Sequence, residues 1–275
     1  MVTLEINGDS KAYPVAILMW HEIVNDEVGG VPVTVTFCPL CNIAIVFDRR
    51  IGDVVYDFGT SGNLRKSDLV IWDRQTESWW QQITGEAIVG ELTGTKLTTI
   101  PAPMVSWSDF KEATPDGLLL SRDTGFGRNY NSAPYGGYDE LDNRPFLFSG
   151  QIDSKLPAME RVVGMDWVSS GVAYPISLFE SVPIVNDTED DRDIVIFYTP
   201  DTDSGFNAFN STEAWVIGST AVYNPNLNDQ KLTFKIESGN IVDERSGSIW
   251  NMFGEAATGE LEDDRLAAVI HANHF

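Results

Sequence analysis

The stretch Val31-Pro32-Val33-Thr34-Val35-Thr36-Phe37-Cys38-Pro39-Leu40-Cys41-Asn42-Ile43-Ala44-Ile45-Val46-Phe47 sets two runs rich in β-branched residues on either side of a short turn. Such runs predict strands over 31–37 and 43–47, which puts Cys38-Pro39-Leu40-Cys41 at a strand-to-strand corner. Proline holds φ fixed and suits a tight turn. The chain has 2 cysteines in all, and both lie in this corner. A disulfide restricts the unfolded chain more when it closes a long loop. Cysteines this close therefore point to chemistry rather than to stapling.

Outward from the corner, the pattern predicts an opening strand over 2–6 followed by the turn Asn7-Gly8-Asp9. A short helix over 14–22 starts at Pro14, where a missing N–H costs nothing. Further strands are expected over 54–58, 69–72 and 118–120, with a brief helix over 107–113 closed by Thr114-Pro115. Residues 125–145 are dense in Gly, Asn, Tyr and Pro and predict a long loop. Beyond it, 175–180 reads as helical, and 194–198, 215–223 and 231–236 as strands. The expected fold is α+β and strand-rich.

The chain also matches itself. Ala12-Tyr13-Pro14 returns as Ala173-Tyr174-Pro175, and Ile23-Val24-Asn25-Asp26 as Ile184-Val185-Asn186-Asp187. Gly85-Glu86-Ala87 with Gly90-Glu91-Leu92 returns as Gly254-Glu255-Ala256 with Gly259-Glu260-Leu261, and Trp80 as Trp250. Four matches in one order predict an internal duplication. The expected layout is a first repeat over 1–124, an interlobe loop over 125–160 and a second repeat over 161–275. Cys38 and Cys41 fall on Thr199 and Thr202, so the sulfur belongs to the first repeat alone. One active and one supporting lobe follow.

Composition narrows the function. With 43% hydrophobic residues the chain can bury a core. Its 41 acidic against 18 basic residues leave a net charge of −23, which repels phosphate backbones and argues against nucleic acid as a partner. The apolar run Val15–Trp20 is far short of the ~20 residues that a membrane helix needs. No basic segment with an apolar core marks a secretory leader. The abrupt start at Val2 and the abrupt end at Phe275 read as those of a piece of a longer chain.

The run His21-Glu22, Asn25-Asp26, Cys38-Pro39-Leu40-Cys41, Val46-Phe47-Asp48-Arg49, then Gly59, Ser61-Gly62, Asp68, Asp73-Arg74, Glu77-Ser78 and Gly85, resembles the family known as domain of unknown function 3179. The likeness covers nearly the whole chain. It implies an exported or lipid-anchored protein, hence an extracytoplasmic location, and implies no established activity. Some members look like selenoproteins, with selenocysteine at this turn. That implies redox chemistry, because selenium usefully replaces a reacting sulfur.

Two chemistries suit the turn. A C-x-x-C pair closes a small disulfide ring and cycles if one thiol is readily ionised. His21, Arg49 and Arg74 are the candidate cations for that ionisation. His21 falls on Val182 and Glu22 on Pro183, so both are lost together with the sulfurs. Cys38, Cys41, His21, Glu22, Arg49 and Arg74 are therefore the candidate catalytic set, with a thiol or disulfide, small or protein-borne, as the substrate. The alternative reading makes Cys38, Cys41 and His21 a candidate transition-metal set for copper, iron or zinc, in a protein that is not an enzyme. A closed structural zinc site needs four ligands, and the only other histidines are His271 and His274. A third reading is a surface module for carbohydrate or protein, with Trp79, Trp80, Gln81 and Gln82 as its aromatic face. Asp26, Asp48, Asp68 and Asp73 are candidate acids or bases, and Arg122, Arg128 and Tyr130 candidate substrate contacts. Trp80 and Asp26 recur in the second repeat, which favours structural roles for both.

Overall fold

The structure, a computed structural model, describes residues 1–166, 171–200, 202–206 and 216–275. The first half opens with β1 (Val2–Ile6), β2 (Asp9–Tyr13), α1 (Val15–His21), β3 (Ile23–Val28), β4 (Val31–Cys38) and β5 (Ile43–Asp48). It continues through β6 (Arg50–Ile51), β7 (Val54–Val55), β8 (Phe58–Arg65), β9 (Asp68–Asp73), β10 (Trp79–Gln81) and β11 (Glu86–Val89). Its last elements are β12 (Thr98–Ile100), α2 (Trp107–Ala113) and β13 (Leu118–Leu119). The second half begins with β14 (Val162–Asp166), β15 (Gly171–Pro175), α3 (Ile176–Phe179), β16 (Ile184–Glu189), β17 (Arg192–Thr199) and β18 (Ser219–Asn224). Short strands follow: β19 (Asn226–Leu227), β20 (Gln230–Lys231), β21 (Phe234–Glu237), β22 (Asn240–Asp243) and β23 (Ile249–Trp250). The last are β24 (Ala256–Thr258), β25 (Ala267–Ala268) and β26 (Ala272–His274). The chain is strand-rich, as the pattern predicts, and its helices are short.

Sheet β12-β5-β4-β3 has its counterpart in β25-β18-β17-β16, and β11-β10-β9-β8 in β24-β23-β22-β21. Strand β4 is buried from Val33 to Cys38, on both faces, which explains its continuous run of β-branched and aromatic residues. The expected strand over 54–58 is instead two pieces, β7 and the start of β8, because Tyr56 and Asp57 turn the chain between them. The expected strand over 231–236 is likewise divided between β20 and β21. Of the stretch 215–223, Trp215 lies outside the described residues and the strand begins at Ser219.

The repeated motifs make repeated contacts. Asn25 bonds both the N–H and the carbonyl of Phe58, at 3.1 and 2.8 Å, and Asn186 does the same for Phe234 at 2.9 and 2.8 Å. The Tyr13 hydroxyl donates to Asp26 at 2.8 Å, and that of Tyr174 to Asp187 at 2.9 Å. Asp26 is thus a tyrosine partner, rather than only a turn residue. Asp73 accepts from the Thr76 N–H and from the Trp80 indole at 2.9 Å, while Asp243 accepts from the Ser246 N–H and the Trp250 indole at 3.1 Å. Trp80 meets Phe58 edge-on, and Trp250 meets Phe234 in the same way. Gly90 and Gly259 both have φ near +107°, and a Cβ on either would fall 2.6 Å from a serine hydroxyl. Only glycine satisfies both conditions.

Each half lends a segment to the other. Val105 and Phe110 of the first half are buried among Val195, Phe197 and Tyr223 of the second. In return, Ala272 packs on the first half's core beside Ile43 and Ile45, and the Phe275 N–H donates to the carbonyl of Cys41 at 3.2 Å. Asp73→Ala strips partners from the buried Trp80 indole and the Thr76 N–H. Urea denaturation should register a loss of about 3 kcal/mol, since each stranded donor costs roughly 1–3 kcal/mol. A loss below about 1 kcal/mol would show that the aspartate does not hold this turn.

Candidate functional site

Strand β4 ends on Cys38, which pairs with Ile43 at the start of β5, so Pro39, Leu40, Cys41 and Asn42 form the connecting turn. Asn42 closes it with φ +51°, a conformation that asparagine tolerates better than most residues. Cys38 is fully buried, Cys41 is half-buried, and neither is in a disulfide. A third group joins them. The two sulfurs and a carboxylate oxygen of Asp68 all lie within 4.8 Å of one another. The Cys41 thiol donates to Asp68 at 3.7 Å, and that of Cys38 to the carbonyl of Ser67 at 3.9 Å.

Asp68 reaches the sulfurs because the β8–β9 hairpin is long. Its strands run Phe58–Arg65 and Asp68–Asp73 around a two-residue turn at Lys66 and Ser67, both with positive φ. That conformation matches the twist of a tight hairpin. The equivalent hairpin of the second half turns earlier, at Ser238-Gly239. Asp68 is itself buried, with Oδ2 held by the Ile83 N–H at 3.0 Å. Burial pushes its carboxyl above the usual range. Burial likewise raises the Cys41 thiol, and the neighbouring Cys38 and Asp68 raise it further.

Residues 120–161 carry no strand or helix and form a strap over this turn. The Tyr138 hydroxyl donates to the Leu40 carbonyl at 3.0 Å and accepts from the Phe146 N–H at 2.7 Å. The Ser67 hydroxyl closes the chain of bonds on the Phe146 carbonyl at 3.4 Å. Next to Tyr138, Asp139 is sealed in an ion pair with Arg161 at 2.5 Å, and Arg161 also donates to the Ser204 hydroxyl at 2.8 Å. Both charged side chains are under 10% exposed, so removing either one would leave a buried charge unpaired. Arg161 also lies over the rings of Phe206 and Phe275, which flank Tyr138.

The other sequence candidates have different partners. His21 ends α1, and its Nε2 is bonded to the Tyr130 hydroxyl at 2.6 Å, with Phe126 against its ring. Burial and then Arg128 lower its pKa. Glu22 caps α1 with φ +60°, its carbonyl accepting from Phe37 next to Cys38, and burial raises its carboxyl. Arg49 is bonded to Asp57 at 2.5 Å and to the carbonyls of Tyr56 and Asp26. Arg74 lies over the Trp72 ring. Asp48 pairs with Arg50, and Arg122 donates to Asn131. His271 and His274 bond main-chain carbonyls, and burial lowers the pKa of both. Among the described residues, the one metal-competent group is Cys38, Cys41 and Asp68.

Asp68 was one of several candidate acids in the sequence, and a signal for it was there. The spacing of Trp80 to Trp250 places Asp68 on Ser238, whereas Asp73 falls on Asp243. Asp68 is therefore lost together with both cysteines. Nothing comparable marked Tyr138 or the Asp139–Arg161 pair, which have no repeat to be measured against.

The raised Asp68 carboxyl fixes the sign of a stability effect. It favours the folded state below the ordinary carboxylate range and loses that contribution as pH rises through its folded pKa. Asp68→Asn, which keeps the acceptor for Ile83, should melt higher than the wild type at pH 7. The gap should close as pH falls below about 4. A gap that is constant with pH, measured by thermal unfolding across the range, would mean that Asp68 is not held at a buried cost.

Among the described residues no helix is long and apolar enough to cross a membrane. No curated protein and no solved structure matches the chain. A family model described as "Protein of unknown function (DUF3179)" matches residues 1–275. Its match spans the whole length that carries the paired-cysteine turn, and the chain belongs to this family.

Proposed function

We propose that Cys38 and Cys41 form a thiol/disulfide pair, with Cys41 as the attacking sulfur, Cys38 as the resolving one and Asp68 as the base that takes the Cys41 proton. The observation that carries this reading is the 3.7 Å contact of Cys41 with a buried carboxylate. A carboxylate whose pKa burial has raised is a better proton acceptor, and it is paired here with a thiol that gives up its proton reluctantly. Cys41 is the sulfur that meets open space, since it lines a cavity while Cys38 is 1% exposed. The role first assigned to His21 passes to Asp68, because the His21 imidazole is engaged by Tyr130. Arg49 is engaged by Asp57 and by the carbonyls of Tyr56 and Asp26, and Arg74 lies over Trp72. The reaction is an exchange: the Cys41 thiolate displaces one sulfur of a substrate disulfide, and Cys38 then displaces the other and leaves a Cys38–Cys41 disulfide. We place it outside the cytoplasm, on the family resemblance.

A second reading is favoured by one observation, the convergence of three ligand atoms. Two sulfurs 2.3 Å from one zinc stand roughly 3.8 Å apart, within the spread of this group. Two thiolates and one carboxylate would hold a divalent transition ion and leave one position open. A cation there would offset the repulsion that raises Cys41.

Mass-spectrometric counting of alkylated thiols separates the two readings. On protein purified without reductant, two labels are expected only after reduction. Two labels that appear only after a chelator would favour the metal. Two labels under every condition would sink both. Asp68→Asn adds a second test. If Asp68 takes the Cys41 proton, its loss should slow disulfide exchange at neutral pH by about 100-fold, the usual scale for a missing general base. It should slow alkylation of Cys41 with it, since both react through the thiolate. If both rates rise, Asp68 is not the base.

A further inference from the structure

Beside Cys41 lies a cavity of about 580 Å³. Its floor is Cys41 and Asp68 from the paired hairpins, its far wall His274 and Phe275 from the second half, and its lid the strap from Pro145 to Glu160. Most of the side chains facing it are apolar, among them Leu40, Ile43, Ile83, Phe148, Ile152 and Leu156. This volume lies within the range of pockets that take small organic molecules. It is much larger than a peroxide needs. A protein disulfide, in turn, would have to enter beneath the strap.

The charges that line it decide the class of guest. Lys155 is paired with Asp153 at 3.7 Å, which leaves Lys66 against the acids Glu160 and Asp68. The lining therefore offers no net positive field, and the chain around it carries a net charge of −23. An anionic disulfide would be repelled both at long range and at the wall. Burying an unpaired carboxylate against these side chains would also oppose binding, because a charge removed from water without a partner loses its hydration.

We infer that this cavity takes a neutral, apolar-bodied small-molecule disulfide, whose hydrocarbon part lies along Ile83, Phe148 and Leu156 while its sulfurs meet Cys41. The inference rests on the thiol/disulfide reading above. The cyclic disulfide of lipoamide serves as the probe. The Cys41 thiolate attacks one ring sulfur, a Cys41–sulfur bond forms, the ring S–S bond breaks, and the released sulfur takes a proton. Cys38 gives up its proton and attacks Cys41, which expels the second substrate sulfur to be protonated in turn. Two electrons and two protons pass from the protein dithiol to the substrate, and the reverse reaction reoxidises dihydrolipoamide.

The test compares reduced protein reacting with lipoamide, lipoate, glutathione disulfide and hydroxyethyl disulfide. Alongside, calorimetric binding of octanamide and octanoate reports on the cavity without any redox step. Lipoamide should exceed lipoate by roughly tenfold at low salt, with glutathione disulfide slowest. That order should narrow in 1 M salt, where the screening length falls to about 3 Å. Octanamide should bind, and octanoate more weakly. Leu156→Asp changes a side chain that is already 38% exposed, so the fold should persist. It should weaken octanamide binding and lower the ratio of lipoamide to hydroxyethyl disulfide exchange. If hydroxyethyl disulfide reacts but lipoamide has no advantage and octanamide does not bind, the cavity inference is overturned while the redox reading stands. If octanamide binds but no disulfide reacts, the redox reading fails and the cavity remains an apolar binding site. Preference for lipoate over lipoamide would overturn the assignment of a neutral guest.

Discussion

Everything at this site depends on two hairpins being pinned against one another at their tips. The β4–β5 hairpin turns in four residues and brings two sulfurs together, and the longer β8–β9 hairpin delivers a carboxylate to them. Sulfur and carboxylate are poor company in a buried place, because ionising either one opposes ionising the other. Hydrogen bonds to main chain hold them there. Ile83 fixes Asp68, and Tyr138 and Phe275 fix the carbonyls of Leu40 and Cys41. A turn braced at its peptide groups leaves its side chains free to change charge or covalent state.

The frame beneath this site has like contacts in both halves, and the two cysteines lie in one. The Asn25 and Asn186 clamps, the Tyr–Asp pairs and the Asp–Trp turns are side-chain devices that fasten strand to strand, and their residues are the ones that repeat along the chain. At the second half's matching corner, the Thr202 hydroxyl meets the Ser219 hydroxyl at 2.5 Å. These two hydroxyls satisfy one another, while that of Thr199 is buried without a hydrogen-bond partner, in a place where the first half has sulfur and a carboxylate.

Legibility in the sequence followed the same division. Strands β4 and β5 were plain because their residues are buried on both faces and hence uniformly β-branched or aromatic. Helix α2 is legible from its close at Thr114-Pro115, and the structure adds a capping box of Ser106 and Asp109 ahead of it. Strands β3 and β16 and most of β8 carry no clear strand pattern, since polar residues such as Asn, Asp, Gly and Ser interrupt them. The Asn25 and Asn186 clamps fasten β3 and β16 to their neighbours, and β8 bends at a bulge between Thr60 and Asn63. In the site, the cysteines could be found from spacing alone. Asp68 required the repeat as a ruler. The strap contacts of Tyr138, Phe146 and Arg161 join residues about 20 to 100 positions apart through a loop without periodicity, which no local pattern encodes.

The bond from the Phe275 N–H to the Cys41 carbonyl has a consequence for how the molecule is assembled. It joins positions 234 apart in the chain (275 − 41), which makes it one of the long-range contacts of the fold. Non-local contacts of this kind carry a loop-closure entropy that must be met before they give anything back. The cysteine turn itself is a local hairpin and can form early, before the wall that faces it. Strap and tail cover the dithiol through contacts far apart in the sequence, so what reaches the sulfurs is set by the long-range part of the fold and not by the hairpin that carries them.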